Sequence, residues 1–275
     1  GVESLGFIFL GIIAGSIAVF ILSITVFFVK ERSFEFSAAE LPSFIKVSKS
    51  VANNYPFWIV FSSILILIST SLMFNNNLIY LIKYSLDLHA YQGLILGVSS
   101  GSSFLSIPFW AYAALKIGKK KSWMISMSFL LLGFLIFYLY PITKLNELLY
   151  ILAFIGIGNG ATGVLFWSML PDTIEYGEWK SGIRTESSLY GFMTFAQKGA
   201  IAIAALILGI ALTKIGFAPN QVQTEEKLDG LKFLMSWIPL TGVCLSFVLV
   251  YFYPIDKAFH EKLIQDIQEK RLLNE

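Results

Sequence analysis

Seven long runs of uncharged, mostly apolar residues divide the chain. A helix needs about 20 such residues to cross roughly 30 Å of hydrocarbon, and each run reaches that length. The runs cover residues 5–29, 57–82, 93–115, 122–143, 148–171, 187–213 and 233–255. The sixth run holds one charge, Lys198. The pattern therefore predicts seven membrane-spanning helices.

Composition agrees with a bilayer environment. Hydrophobic residues make up 56% of the chain, and the mean hydropathy is +0.72, whereas soluble domains are about 45–50% apolar. The net charge of +2 is too small for a nucleic-acid surface, so no nucleic-acid partner is expected. Cys244 is the only cysteine, and neither an internal disulfide nor a metal site is predicted. His89 and His260 lie in polar segments and are interpreted as solvated.

The first run is interpreted as a true membrane helix. A signal peptide has a basic start and a shorter apolar core, and this run has neither. Since the first residue is glycine, we expect the chain to be a fragment, cut just before this helix from a longer protein.

The loops indicate the orientation of the chain. Fourteen of the twenty Lys and Arg residues fall on one side of the predicted spans, and five fall on the other. Because the basic side of a membrane protein faces the cytoplasm, we expect the chain to begin outside and its tail, residues 256–275, to lie inside. The tail has a helical pattern. Lysine-rich loops suit a bacterial inner membrane.

Lys198 is the most informative single residue. A charge this deep in a span costs about 3 kcal/mol, so it should face a water-filled cavity or a partner. Tyr190, Thr194, Gln197 and Lys198 share one helical stripe, which predicts the wall of a polar cavity. Two alternatives stay open: a snorkelling lysine, and a polar seam between helices.

The glycine-rich fifth run ends near Trp167. Its indole could stack on the apolar face of a sugar ring, or it could belong to the interfacial aromatic belt. Gly156, Gly158, Gly160 and Gly163 would let this helix bend or pack closely. Asn159, which lies among them, is interpreted as structural.

Residues 170–187, "LPDTIEYGEWKSGIRTES", concentrate charge between two apolar runs. Asp172 and Glu175 are spaced to repel each other on one helical face. The repulsion between the two carboxylates is offset if basic side chains contact them. The candidates are Arg184 and, from the "GKKK" loop on the same side, Lys119 and Lys120. A set of weak ion pairs could form a gate that closes a cavity. The alternative is an ordinary charged loop.

Residues 166–200, "FWSMLPDTIEYGEWKSGIRTESSLYGFMTFAQKGA", resemble the signature of the glycoside–pentoside–hexuronide:cation symporters, the melibiose permease relatives of the major facilitator superfamily. That family has twelve spans in two bundles, so the resemblance implies an all-α membrane protein whose seven helices are the sixth to the twelfth. Residues 1–29 would be the last helix of the amino-terminal bundle, 30–56 the cytoplasmic middle linker, 57–255 the carboxy-terminal bundle and 256–275 the tail.

The resemblance also implies roles for individual residues. Lys198 would lie in the central cavity, near sugar and cation, with Thr194 and Gln197 beside it. Trp167 would lie near the sugar. Asp172, Glu175 and Arg184 would belong to the cytoplasmic gate. No cofactor is implied beyond a coupling Na⁺ or H⁺. Most ligands of that cation would come from the missing amino-terminal helices.

The expected function is therefore cation-coupled symport of a sugar or glycoside by alternating access. No enzyme is expected, because no nucleophile lies beside a base. The expected partners are the sugar, membrane lipid and the missing helices. One alternative keeps the fold but carries an anion such as a lysolipid or organic acid. A more remote one, a seven-helix receptor, is disfavoured because its lysine would belong to the last span.

Overall fold

The structure separates the chain into two units, which we describe one at a time. The computed structural model describes residues 2–28, 43–86, 88–218, 221 and 223–274. The first unit contains one described helix, α1 (Val2–Phe28), with exposed apolar side chains such as Ile12 and Phe20. Residues 30–42 of the predicted middle linker lie outside the described residues.

The second unit is built from helices throughout its described part. These helices are α2 (Phe44–Ala52), α3 (Tyr55–Tyr84), α4 (Gln92–Ile117), α5 (Lys119–Leu139), α6 (Leu145–Ser181), α7 (Glu186–Lys214), α8 (Glu225–Tyr251) and α9 (Lys257–Asn274). A 3₁₀ turn, His89–Tyr91, precedes α4.

Seven helices, α1 and α3 to α8, are long and apolar enough to cross a membrane. Each helix contains one of the seven predicted runs. Three of these runs, 5–29, 122–143 and 233–255, extend one to four residues beyond the end of their helix. The prediction of an all-α integral membrane protein is thereby confirmed. Backbone groups have no water to bond in a bilayer, so a long apolar run must satisfy them within its own helix.

Helix α6 extends further than its apolar run. The run ends at Pro171, but the helix continues through Ser181 and stops at Gly182, which has a left-handed φ of 68°. The predicted loop over residues 170–187 is therefore mostly helix, and only residues 182–185 connect α6 to α7. An uncharged run marks the part of a helix that fits the bilayer, not the point where the helix ends.

The amphipathic stretch before the second run forms α2, and its corner is fixed to α6. The Asn54 side chain accepts a hydrogen bond from the Phe57 amide (3.3 Å) and donates one to the Thr173 carbonyl (2.8 Å). Ser50 and Ser181 hydroxyls lie 2.8 Å apart. Helix α3 thus begins two residues before the predicted bundle boundary. The predicted helical tail is confirmed as α9.

Small residues bring α4 and α6 into close contact. A Cβ atom added to Gly156 or Gly160 would collide with the serines of α4, Ser102 and Ser106 respectively. The Trp110 indole donates a hydrogen bond to the Ile157 carbonyl across the same seam (2.7 Å). The prediction of close packing is confirmed at these glycines and at Gly158, which meets Leu130 and Phe129 of α5. Gly163 faces open space.

Candidate functional site

Four ionisable residues meet at the end of the bundle where α6 leaves its apolar run. We call Lys119, Asp172, Glu175 and His260 the charged cluster. The Lys119 ammonium lies 2.6 Å from the Asp172 carboxylate and also donates to the Ser168 carbonyl (2.7 Å). Gly118, whose φ of 89° makes a sharp turn, places Lys119 at the first position of α5.

His260 completes the charged cluster from the tail helix. Its Nε2 atom lies 2.7 Å from a Glu175 oxygen and 3.4 Å from an Asp172 oxygen. The interpretation of His260 as a solvated histidine is therefore wrong. Its partners lie 85 or more positions away in sequence, and only the packing of α9 on α6 brings them together. His89, by contrast, is exposed.

The predicted gate residues are only partly brought together. Lys119 meets Asp172, whereas the Lys120 ammonium donates to the Tyr253 carbonyl (2.6 Å). Arg184 binds Glu178 (3.2 Å) and Glu186 (3.0 Å) instead of Asp172 or Glu175. The expectation that Arg184 meets those two carboxylates is wrong, because the extension of α6 to Ser181 places Arg184 beyond the helix end.

Nearby carboxylates shift the pKa of two groups at this end of the bundle. Burial raises the pKa of the Tyr253 phenol well above its ordinary value, and the charges of Asp172 and Glu175 raise it further. Burial opposes the charged form of Arg184, but hydrogen bonds and ion pairs with Glu186 and Glu178 outweigh it, so the pKa of Arg184 is raised. The Tyr253 phenol therefore stays neutral.

The fold also assembles a set of possible metal ligands that the sequence does not reveal. Asp172, Glu175 and His260 each offer one ligand atom, and these atoms lie within 4.8 Å of one another. A cation would have to compete there with the Lys119 ammonium, which already neutralises Asp172. The arrangement therefore suits a network of ion pairs better than a metal centre.

The predicted cavity stripe lies on α7. Thr194 and Lys198 are exposed in this chain, and Tyr190 and Gln197 are partly buried. The Thr194 hydroxyl donates to the Tyr190 carbonyl of the previous turn (3.0 Å). Lys198 has no ion-pair or hydrogen-bond partner among the described residues. Opposite this stripe, α7 buries small residues such as Ala196 and Ala200 toward α3.

Trp167 of α6 joins this region through a ring contact. Its indole and the Tyr190 ring are nearly parallel (17°), with centroids 6.4 Å apart. Trp167 is 42% exposed, so one aromatic surface of the pair stays open. Parallel aromatic faces can bind the apolar face of a sugar ring, as was expected of Trp167.

A mainly apolar cleft with several polar side chains lies closer to the start of α6, between α3, α4 and α6. It has a volume of about 410 Å³, and its polar lining includes Ser71, Asn75, Ser103 and Asn159. Asn159 is eight residues, or about 12 Å, before Trp167 on the same helix. The α7 stripe does not line this cleft. Sequence reasoning missed Asn75 and Ser71, although three consecutive asparagines at 75–77 inside an apolar span were a usable signal.

Several known proteins are similar to this chain in sequence. The sequence profile of the family described as "MFS/sugar transport protein" matches residues 2–257. An uncharacterized symporter of Bacillus subtilis (strain 168) is 32% identical over 82% of this chain and 49% of its own length. A glucuronide carrier protein homolog of Escherichia coli (strain K12) is 30% identical, over 82% of this chain and 50% of its own.

A third relative is the isoprimeverose transporter of Lactiplantibacillus pentosus, 26% identical over 82% of this chain and 47% of its own length. The chain thus spans about half the length of the curated relatives it matches. These relatives are named as symporters, carriers and transporters, not as enzymes.

Proposed function

Because the chain belongs to the MFS/sugar transport protein family, as its resemblance to the melibiose permease group implied, we propose that the whole protein is a secondary active transporter. It carries a sugar or glycoside together with Na⁺ or H⁺ by alternating access. The observation that carries the proposal is Lys198, an ammonium that lies twelve residues into a membrane-spanning helix and has no ion-pair or hydrogen-bond partner among the described residues. A charge at that depth requires a polar cavity or a partner.

The surroundings of Lys198 support a sugar as cargo. The Trp167–Tyr190 pair offers an aromatic face. The separate cleft between α3, α4 and α6 offers the amides of Asn75 and Asn159 and the hydroxyls of Ser71 and Ser103. Binding sites of such transporters lie near the bilayer midplane, between two halves of the molecule. The substrate cavity in this proposal consists of Lys198, Thr194, Gln197, Tyr190 and Trp167.

The charged cluster supports alternating access. Asp172 is almost fully buried against Lys119, while Glu175 and His260 remain partly exposed. We assign this end to the cytoplasm from the distribution of Lys and Arg. The cluster then closes the cavity toward the cytoplasm, together with Lys120, which ties α5 to the residues after α8. The expected compartment is a bacterial inner membrane.

The domain organisation is part of the same proposal. Helix α1 is the last helix of an amino-terminal bundle, and residues 30–56 are the middle linker. The bundle over residues 57–255 is the carboxy-terminal half, followed by the tail over 256–275. Ligands of the coupling cation come mostly from the amino-terminal bundle.

One observation favours a second cargo. An uncompensated ammonium binds a carboxylate or phosphate directly, whereas a neutral sugar needs only hydrogen bonds. A glucuronide combines a sugar ring with a carboxylate, and one relative is named as a glucuronide carrier homolog. The second candidate is therefore the same fold carrying an anionic substrate, such as a sugar acid, an organic acid or a lysolipid.

Counterflow of radiolabelled substrates in vesicles that contain the whole protein tests these proposals. The substrates are neutral glycosides, glucuronides and simple organic acids, each with and without Na⁺ at two pH values. Cation-dependent exchange of a neutral glycoside supports the first candidate. Exchange confined to anions supports the second. Absence of exchange with every substrate, in vesicles that hold folded protein, contradicts both.

A further inference from the structure

A second cleft lies beside the charged cluster, between the start of α5 and the start of α9. It has a volume of about 690 Å³. Four lysines line it (Lys116, Lys120, Lys121 and Lys257) and one acid, Asp256. We call it the lysine cleft. Its charged groups therefore favour an anionic ligand.

The acid in the lysine cleft serves the tail helix. An Asp256 oxygen accepts a hydrogen bond from the Phe259 amide (2.8 Å) and so caps the first turn of α9. The Lys120 and Lys257 ammonium groups donate to backbone carbonyls, of Tyr253 (2.6 Å) and Leu115 (3.3 Å). Lys121 has no hydrogen-bond or ion-pair partner within the described residues. Positive charge in the cleft is therefore not neutralised by nearby acids.

The floor of the lysine cleft is apolar and continues into a face that suits hydrocarbon. Ile117, Met124 and Ile125 line the cleft. Ile125, Leu132 and Leu139 are exposed and lie seven residues apart on α5. They form an apolar stripe along the helix that begins at the cleft. An exposed apolar stripe on a membrane-spanning helix faces lipid chains. The cleft thus lies where this stripe meets the charged end.

Aromatic side chains mark the same level. Lys116 lies 5.6 Å from the centroid of the exposed Tyr112 ring, and Lys120 lies 6.0 Å from that of exposed Tyr251. Tyrosine beside lysine is typical of the interface between hydrocarbon and headgroups. At that level the available anion of high concentration is the phosphate of a lipid.

We propose that the lysine cleft binds the phosphate headgroup of an anionic phospholipid, with the acyl chains along the α5 stripe. Basic clefts between spanning helices hold such headgroups, and basic segments are attracted to anionic leaflets. Gly118 makes the site possible. Its left-handed backbone brings the α4–α5 turn against the tail, and a Cβ there would lie 3.4 Å from the Lys257 Cβ.

A second basic cleft offers a matched control. Lys46, Lys49 and Lys180 line a cleft of about 530 Å³ between α2 and the end of α6. Most of its lining residues are polar, including Ser50 and Ser181, and Ile183 is the one large apolar side chain among its described lining residues. We call it the α2 cleft. Removing three exposed lysines from either cleft changes the net charge equally.

Native mass spectrometry of the whole protein, purified in detergent, tests the proposal. The probes are phosphatidylglycerol, phosphatidylcholine and inorganic phosphate. Phosphatidylglycerol should be retained over phosphatidylcholine. Replacing Lys116, Lys121 and Lys257 by Gln should lower its retention by about tenfold, because each lysine adds to attraction for an anionic lipid. The Gln triple variant of the α2 cleft should change it by less than about twofold. Both variants replace exposed side chains, and circular dichroism checks their folding.

Three results would overturn the proposal. The first is equal retention of the two lipids. The second is an equal loss of phosphatidylglycerol in both triple variants, which would indicate bulk charge instead of a site. The third is retention of inorganic phosphate that displaces the lipid completely, which would indicate a site for free phosphate. If the first variant fails to fold, the single variant Lys121→Glu, at an exposed position without a partner, is measured against Lys49→Glu.

Discussion

In the charged cluster, Asp172 lies 2.6 Å from Lys119, and His260 lies 2.7 Å from Glu175. On α7, Lys198 has no such partner among the described residues. Both regions place charge against an apolar bundle, where desolvation is costly. In the charged cluster, side chains of α5, α6 and α9 contact one another, and these contacts offset the desolvation cost. Lys198 has no such contact among the described residues, so its charge requires water in a cavity or an acceptor or anion from a substrate or from residues outside the described part.

This difference predicts the largest effect at Lys198. Lys198→Ala should abolish concentrative uptake by the whole protein while leaving membrane insertion intact. Inserting a charge at this depth costs about 3 kcal/mol. If the charge contributes at least as much to transport, and about 1.4 kcal/mol corresponds to tenfold, its removal should lower uptake roughly 100-fold or more. Uptake of radiolabelled substrate into vesicles measures it.

The matched control for this experiment is Lys214→Ala. It removes the same charge from the exposed carboxy-terminal end of α7 and should leave uptake within about twofold, because a solvated charge pays little desolvation. Normal accumulation by Lys198→Ala would show that the unpartnered lysine is merely tolerated.

The second prediction concerns the partnered region. Asp172→Asn leaves Lys119 without its carboxylate at a buried position. Breaking a fully buried pair costs about 3–5 kcal/mol. Because the Lys119 side chain is 33% exposed, we expect a cost well below that range, about 1.4 kcal/mol, seen as a roughly tenfold slower turnover. Substrate affinity should change by less than about twofold, since the cluster lies away from the cavity. Counterflow rates at several substrate concentrations separate the two.

A double-mutant cycle sharpens this test. Lys119→Met alone and with Asp172→Asn should show that the two changes are not additive, as expected for residues in contact. An unchanged transport rate in Asp172→Asn would support the alternative of an ordinary charged segment.

A smaller effect is expected at His260. His260→Gln removes the contact with Glu175, but α9 stays attached through the Trp179–Asp266 hydrogen bond (3.1 Å) and the buried Leu263. Amide hydrogen exchange in α9 should therefore accelerate by about tenfold, equivalent to about 1.4 kcal/mol. His260→Arg places a fixed positive charge beside Glu175 and should restore most of the protection. Protection that stays unchanged in His260→Gln would mean that the histidine contributes nothing to holding the tail.

The smallest effect is expected at Arg184. Its guanidinium is half exposed and binds Glu178 and Glu186 near the α6–α7 connection. Exposed ion pairs contribute roughly 0–1 kcal/mol, so Arg184→Gln should alter turnover by less than about twofold. The assay is the counterflow measurement used for Asp172→Asn. A loss as large as that of Asp172→Asn would return Arg184 to the gate that the sequence assigned to it.

These regions also show what a sequence can predict. The spanning helices follow from runs of apolar residues, since a bilayer leaves an apolar segment of that length few other structures. Lys198 stands out for the same reason, as a charge inside such a run. The pairing of His260 with Glu175 has no local signal, because it depends on how α9 packs against α6.

The expected contact of Arg184 with Asp172 and Glu175 was wrong for a related reason. Arg184 is close to Asp172 and Glu175 in sequence, and this proximity favoured their pairing. Because α6 continues past Pro171 to Ser181, both carboxylates lie within the helix, whereas Arg184 lies beyond its end. The Asn75–Asn159 cleft was missed because two half-exposed amides on different helices acquire meaning only once α3, α4 and α6 are assembled.

The seam between α4 and α6 has a mechanical consequence. At Gly156 and Gly160 the helices touch without room for a methyl group, so neither can slide or bend without the other. Helix α6, with 37 residues, is about 55 Å long. Acting as a lever clamped along its middle, it would turn a tilt of about 10° into a displacement of roughly 10 Å between its ends. A molecule built this way would move the charged end and the middle of α6 as one solid body, and the hinge would lie elsewhere.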